Sequence, residues 1–134
     1  MNFSPIAKQV LSEEAESLQR LCEHLDGKMF SRVTELLLQH KGKVVFSGIG
    51  KSGYIAQKLS STFNSTGTRA VYLHPAEALH GDLGIYSRGD PTIMLSRSGS
   101  TRELLDLLPF IKQFQSPLIA MVGNLSSPLA EAAD

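Results

Sequence analysis

Val44-Val-Phe-Ser-Gly-Ile-Gly-Lys-Ser-Gly53 is the stretch on which the fold turns. An apolar run, Val44-Val45-Phe46, opens into a glycine- and serine-rich loop with one lysine, and a helix-like pattern follows. Strand, glycine loop, helix is the order by which parallel α/β proteins hold phosphate. Glycine lets the backbone approach an anion, and a helix N-terminus aims free N–H groups and partial positive charge at it. Ser47, Gly48, Gly50 and Ser52 are the candidate ligand contacts of this loop, with Lys51 beside them. A second loop of the same character, Ser96-Arg-Ser-Gly-Ser-Thr101, follows the apolar run Ile93-Met94-Leu95. Two such loops in one small domain point to a phosphorylated small molecule.

Outward from these loops the chain alternates. Strands are expected at 43–47, 69–73, 92–96 and 117–122, and helices at 52–64, 75–80, 101–114 and 127–133. The strands are short, continuous apolar runs, as expected when helices cover both faces of a sheet. Such alternation implies right-handed βαβ units and a flavodoxin-like parallel sheet in a three-layer αβα sandwich. Two helices precede it. Leu11, Ala15, Leu18, Leu21, Cys22 and Leu25 recur at helical spacing in a helix over about 4–26, which Asp26-Gly27 is expected to stop. A second helix is expected over 28–40, ended by Lys41-Gly42. The chain stops after a helix-like segment where another strand is due, so a fifth strand is expected beyond Asp134.

Composition excludes several classes. The chain has 134 residues, 42% hydrophobic and 19% charged, so it is one globular domain rather than a disordered segment. Its 13 basic and 13 acidic residues cancel, which argues against nucleic acid as partner. No apolar run has the length of a membrane span, and no signal pattern opens the chain. The lone Cys22 excludes an internal disulfide, suits a reducing compartment, and reads as packing within its apolar stripe. A cytoplasmic domain is expected.

Three phosphate-loop readings compete for residues 46–53. A nucleotide P-loop needs a glycine five positions before Gly50, and Val45 stands there. A dinucleotide fingerprint matches at Gly48, Gly50 and Gly53, but the next strand ends Val71-Tyr72-Leu73-His74 without the acid that holds a ribose. The third reading is a sugar-phosphate site. It gains from the second loop, where Ser96, Ser98, Ser100 and Thr101, hinged on Gly99, form a neutral cradle for a phosphate dianion. In the strand order 2-1-3-4-5 the two loops face each other where the order reverses.

Ser100-Thr-Arg-Glu103 is also a capping-box sequence, which accounts for Ser100 or Glu103 but not for Ser96 and Ser98. Glu103 is placed to act as a base on a carbon-bound proton. Lys51 is placed to neutralise a phosphate or to polarise a carbonyl and its developing enediolate. His74, Glu77 and His80 crowd one segment, but their spacing matches no strong metal pattern, and no metal is assigned. Arg97, Arg102, His24 and His40 are read as surface or loop residues.

These residues closely resemble the sugar isomerase (SIS) domain, and within it the D-arabinose-5-phosphate isomerases, which supply the precursor of the lipopolysaccharide sugar Kdo. The resemblance is carried by Val45–Gly53, by Thr62-Phe-Asn-Ser-Thr-Gly-Thr68, and by His74-Pro-Ala-Glu-Ala-Leu-His-Gly-Asp-Leu-Gly84. The hydroxyl loop Ser96–Glu103 and the tail Ala130–Asp134 also fit, so it covers roughly residues 40 to 134. It implies a five-stranded parallel sheet, Lys51 and Glu103 at catalytic positions and His80 at an active-site position. It also implies aldose–ketose isomerisation through an enediol without a cofactor, and tetramers whose sites combine neighbouring subunits. Ser100-Thr101 stand where many members have Glu-Ser. The family continues past this chain's last residue with a further catalytic glutamate and histidine, then usually two CBS modules. On that basis residues 1–134 alone are expected to have little or no isomerase activity. A non-catalytic phosphosugar-binding regulatory module is the alternative.

Overall fold

The computed structural model describes residues 3–134. The chain divides into two compact units, with the boundary between Leu36 and Leu37. The first holds α1 (Ser4–His24) and the larger part of α2 (Gly27–Gln39). α1 ends where Leu25 turns extended, and Asp26 then starts α2 rather than merely stopping α1. Its Oδ1 accepts the Lys28 and Met29 N–H groups at 2.9 and 3.1 Å, satisfying two donors that a helix start leaves free. The apolar stripe of α1 lies exposed at Leu11, Leu18, Leu21 and Leu25. Cys22 is exposed too, so the packing role expected for it is not met within this chain.

The second unit is a parallel sheet in the order β2-β1-β3-β4, built from β1 (Val44–Gly48), β2 (Ala70–Leu73), β3 (Thr92–Ser96) and β4 (Leu118–Val122). Val45 pairs with Val71 on one side and Thr92 on the other, and Ile93 pairs with Ile119. Alternation along β1 and β3 feeds two cores. Val44, Phe46, Ile93 and Leu95 pack with Ala56 of α3 (Gly50–Ser65), and Phe63 meets Phe46 edge-on at 5.0 Å. Val45 and Met94 face the opposite side, against residues of α4 (Pro75–Leu79), α5 (Arg102–Leu105), α6 (Leu108–Gln113) and α7 (Pro128–Ala132). Each fully buried side chain of this size contributes about 1.5–3 kcal/mol, so the two layers fix the strand ends that carry the loops.

The helix expected over 101–114 is two helices. It breaks at Asp106-Leu107, ahead of Pro109, which has no N–H to continue the ladder from α5. At the amino ends of β1 and β3, Asp90 is 1% exposed. Its carboxylate accepts from Lys43 Nζ (2.5 Å), Lys43 N (3.2 Å) and Ser87 N (2.8 Å), and lies 3.3 Å from His40 Nε2. His40, read from sequence as a surface residue, thus belongs to a buried polar cluster. Among the described residues no helix is long and apolar enough to cross a membrane.

Candidate functional site

β1 and β3 are neighbours from which the chain departs in opposite directions, β1 toward β2 and β3 toward β4. Ligands of open α/β sheets bind at the carboxyl ends of the strands where the order reverses. Both glycine loops arrive there.

The first loop is shaped by close packing. A Cβ on Gly48 would lie 2.9 Å from the Ser52 carbonyl oxygen, and one on Gly53 would lie 2.8 Å from the Gly48 carbonyl oxygen. Gly50 has φ +56°, a left-handed conformation that glycine adopts without penalty. Together they bring the four-turn helix α3 down onto the tip of β1, with Lys51 and Ser52 in its first turn. Lys51 is exposed, and neither its ammonium nor the Ser52 hydroxyl has a hydrogen-bond partner among the described residues. Ser47 requires a correction. Its side chain is fully buried and donates to the Leu73 carbonyl at 2.8 Å, so it ties β1 to β2 and does not face a ligand.

The second loop is held by its own hydroxyls. Ser96 Oγ, almost completely buried, accepts from Gly99 N at 3.0 Å and meets Thr101 Oγ1 at 2.9 Å; Ser98 Oγ accepts from Ser100 N at 3.3 Å. Gly99 adopts φ +68°, and a Cβ there would overlap Ser127 Oγ. The capping box of Ser100 and Glu103 is not formed: Thr101 is the N-cap, without a side-chain cap bond, and the four-residue α5 begins at Arg102. Glu103 therefore falls at the second helical position, too early for the reciprocal bond. So short a helix carries little dipole, which leaves α3 as the helix that opens on the site.

Two cavities lie between the loops. One of about 390 Å³ is bounded by Ile49 and Ser52 on one side and by Ser96, Arg97, Ser98 and Thr101 on the other. The second, of about 600 Å³, shares Ser52, Ser96 and Arg97, adds Lys51, and extends over Met121 of β4 and Gly123 and Leu125 beyond it. No acidic residue lines either one among the described residues. Ser100 is exposed and lines neither, and Gly48, Gly50 and Gly99 shape the loops rather than the walls.

His80 and Glu103 stand apart from these walls. His80 caps the C-terminus of α4 and is exposed; Glu103 is half-buried in α5, which contacts α4. Neither side chain has a partner among the described residues. His74, at the tip of β2, buries its Nδ1 without a hydrogen bond, its ring edge-on to Tyr72 at 6.3 Å. Among the described residues no three His, Cys, Asp or Glu side chains come close enough to hold a metal ion. Arg97 is the residue that sequence reasoning passed over. It lines both cavities, and its guanidinium is unpaired. Its position between two loop hydroxyls at a strand's carboxyl end was the available signal.

Fold and site together define an α/β domain in which two glycine–hydroxyl loops face each other across cavities at the carboxyl ends of β1 and β3. The chain belongs to the SIS domain family, whose model matches residues 37–134. It is 46% identical over 127 residues to an Escherichia coli arabinose 5-phosphate isomerase KpsF, covering 95% of this chain and 40% of that protein. It is 43% identical over 134 residues to Pseudomonas aeruginosa arabinose 5-phosphate isomerase KdsD, covering all of this chain and 41% of that protein. A solved structure from E. coli CFT073, in complex with A5P, superposes with a TM-score of 0.86 at 38% identity, over all of this chain and 72% of that one. The chain thus spans about 40% of the length of the curated relatives it matches.

Proposed function

We propose that this chain seats a phosphorylated pentose as part of an isomerase that interconverts arabinose 5-phosphate and ribulose 5-phosphate. The observation that carries the reading is the pair of cavities at the β1/β3 crossover, lined by loop hydroxyls and two unpaired cations with no carboxylate among the described residues. The names of the KpsF and KdsD relatives and the A5P-bound structure support it. In the reaction, a base removes the proton from C2 of the open-chain aldose while the C1 oxygen gains one, giving an enediol. Return of a proton to C1, with loss of the O2 proton, yields the ketose. Lys51 is assigned to the charge that develops on oxygen, Glu103 to proton transfer and His80 to the surrounding active site. Run from ketose to aldose, the same steps would supply arabinose 5-phosphate for synthesis of the lipopolysaccharide sugar Kdo in the cytoplasm, in a homo-oligomer.

The test is to follow arabinose 5-phosphate by proton NMR in deuterated water with the purified chain. Loss of the C2 proton signal with appearance of ribulose 5-phosphate supports the isomerase reading. Binding without exchange confines residues 1–134 to holding the sugar phosphate. No interaction with the sugar at all overturns the proposal.

A further inference from the structure

The proposed reading leaves Lys51 with two possible tasks, meeting the phosphate or meeting the sugar's carbonyl. The two cavities separate them. In the smaller one, lined by Ser52, Ser96, Ser98 and Thr101, Arg97 is the single charged residue among the described ones, and Lys51 lines only the larger. A phosphate dianion recruits hydroxyl and guanidinium donors together, because charge-assisted bonds to a planar guanidinium are strong and directional.

Arg97 is also held in place. Gly123 N donates to the Arg97 carbonyl oxygen at 3.0 Å. A Cβ on Gly123 would lie 2.8 Å from that same oxygen and 3.7 Å from Arg97 Cγ. Gly123 has no positive φ to account for it, so close approach to Arg97 is what requires glycine there. The β4 side of the domain thus sets where the Arg97 backbone lies.

We infer that Arg97, rather than Lys51, is the cation that meets the phosphate, and that Gly123 is its positioning residue. Lys51 is then free for the sugar end of the ligand, in the larger cavity. The inference rests on the phosphosugar reading and divides its charges.

The probe is inorganic phosphate, titrated into the chain while backbone amide shifts of residues 96–101 are followed by NMR. Arg97→Gln should weaken binding by about tenfold and flatten its salt dependence. Arg97→Lys should recover part of the loss, and Lys51→Gln should cost less than Arg97→Gln. Gly123→Ala should weaken binding while the amide spectrum outside the loop stays native. Arg102→Gln is the control; Arg102 lies on the exposed face of α5, 3.8 Å from Asp106. If Arg97→Gln binds phosphate like the parent chain, or Lys51→Gln costs more, this inference falls and the phosphosugar reading stands. If the parent chain shows no phosphate shifts in the loop, both fall.

Discussion

The Tyr72 hydroxyl donates to the Gly48 carbonyl oxygen across 2.9 Å, fastening the tip of β2 to the first turn of the glycine loop. Burial raises the Tyr72 hydroxyl above its ordinary 10.0, with a hydrogen bond from Gln57 opposing, so the donor keeps its proton at physiological pH. The same hydroxyl lies 3.0 Å from where a Cβ on Gly53 would stand. Gly53→Ala therefore presses on both Tyr72 and the Gly48 carbonyl. It should cost about 1–3 kcal/mol in urea unfolding and abolish phosphate-induced shifts in the loop, whereas Tyr72→Phe should cost only about 1 kcal/mol.

Gly50 makes a contrasting case. Nothing lies within 4 Å of its would-be Cβ, so alanine meets no obstacle there. Its left-handed φ of +56° should still cost Gly50→Ala about 1–2 kcal/mol. Asparagine should cost less than alanine. Equal stability of the three chains in urea would show that the loop can relax to a negative φ.

Asp90 predicts an acid dependence. Burial raises its carboxyl pKa, but the Lys43 side chain, the Ser87 and Lys43 N–H groups and the Lys43 charge outweigh this and hold it below the ordinary 3.8. A depressed carboxyl stabilises the fold above its unfolded pKa, and that contribution is lost as pH falls through the folded one. Asp90→Asn should cost about 3–5 kcal/mol at pH 7, because it leaves Lys43 uncompensated beside buried groups. The gap between parent and variant in urea midpoints should close as pH drops below about 4.

Tyr86 gives a spectroscopic handle. Its hydroxyl meets Thr92 Oγ1 at 3.0 Å, which in turn meets Ser116 Oγ at 2.8 Å, and Ser116 donates to the Asp90 backbone carbonyl. Burial pushes the phenol up to about 12, with the Asp90 charge adding and the Thr92 hydrogen bond opposing. Ultraviolet titration should show a tyrosinate step near pH 12 in the parent chain. Tyr86→Phe should remove that step, and a titration unchanged by the substitution would place the high step elsewhere.

Hydrophobic runs at Val44–Phe46 and Ile93–Leu95 were enough to place β1 and β3 and, with the alternation, the parallel order, because burial on both faces leaves a continuous apolar signature. Ser47 misled because a strand's last residues share the alphabet of the loop that follows. Only the pairing of Ser47 with Leu73 shows it inside the sheet. The break between α5 and α6 was written in Pro109, but the apolar spacing of Leu104, Leu105 and Leu108 reads straight through it. Arg97 was missed for a different reason. Whether a loop arginine meets solvent or a cavity depends on which strand lies beside it, here β4, and pairing is not a local property. The same holds for His40, whose partner Asp90 is fifty residues away.

The hydroxyl loop takes two backbone bonds from the segment after β4, Gly123 N to the Arg97 carbonyl and Leu129 N to the Gly99 carbonyl, at 3.0 Å each. Its rigidity is therefore borrowed from the segment that follows β4. Amide protons in such a connecting segment exchange through local opening, well before the central strands open. Any ligand that needs the loop ordered is linked to these closed bonds, so its binding should slow exchange at Gly123 and Leu129, residues distant in sequence from the loop itself. Occupancy of the cradle becomes readable as protection on the far side of β4.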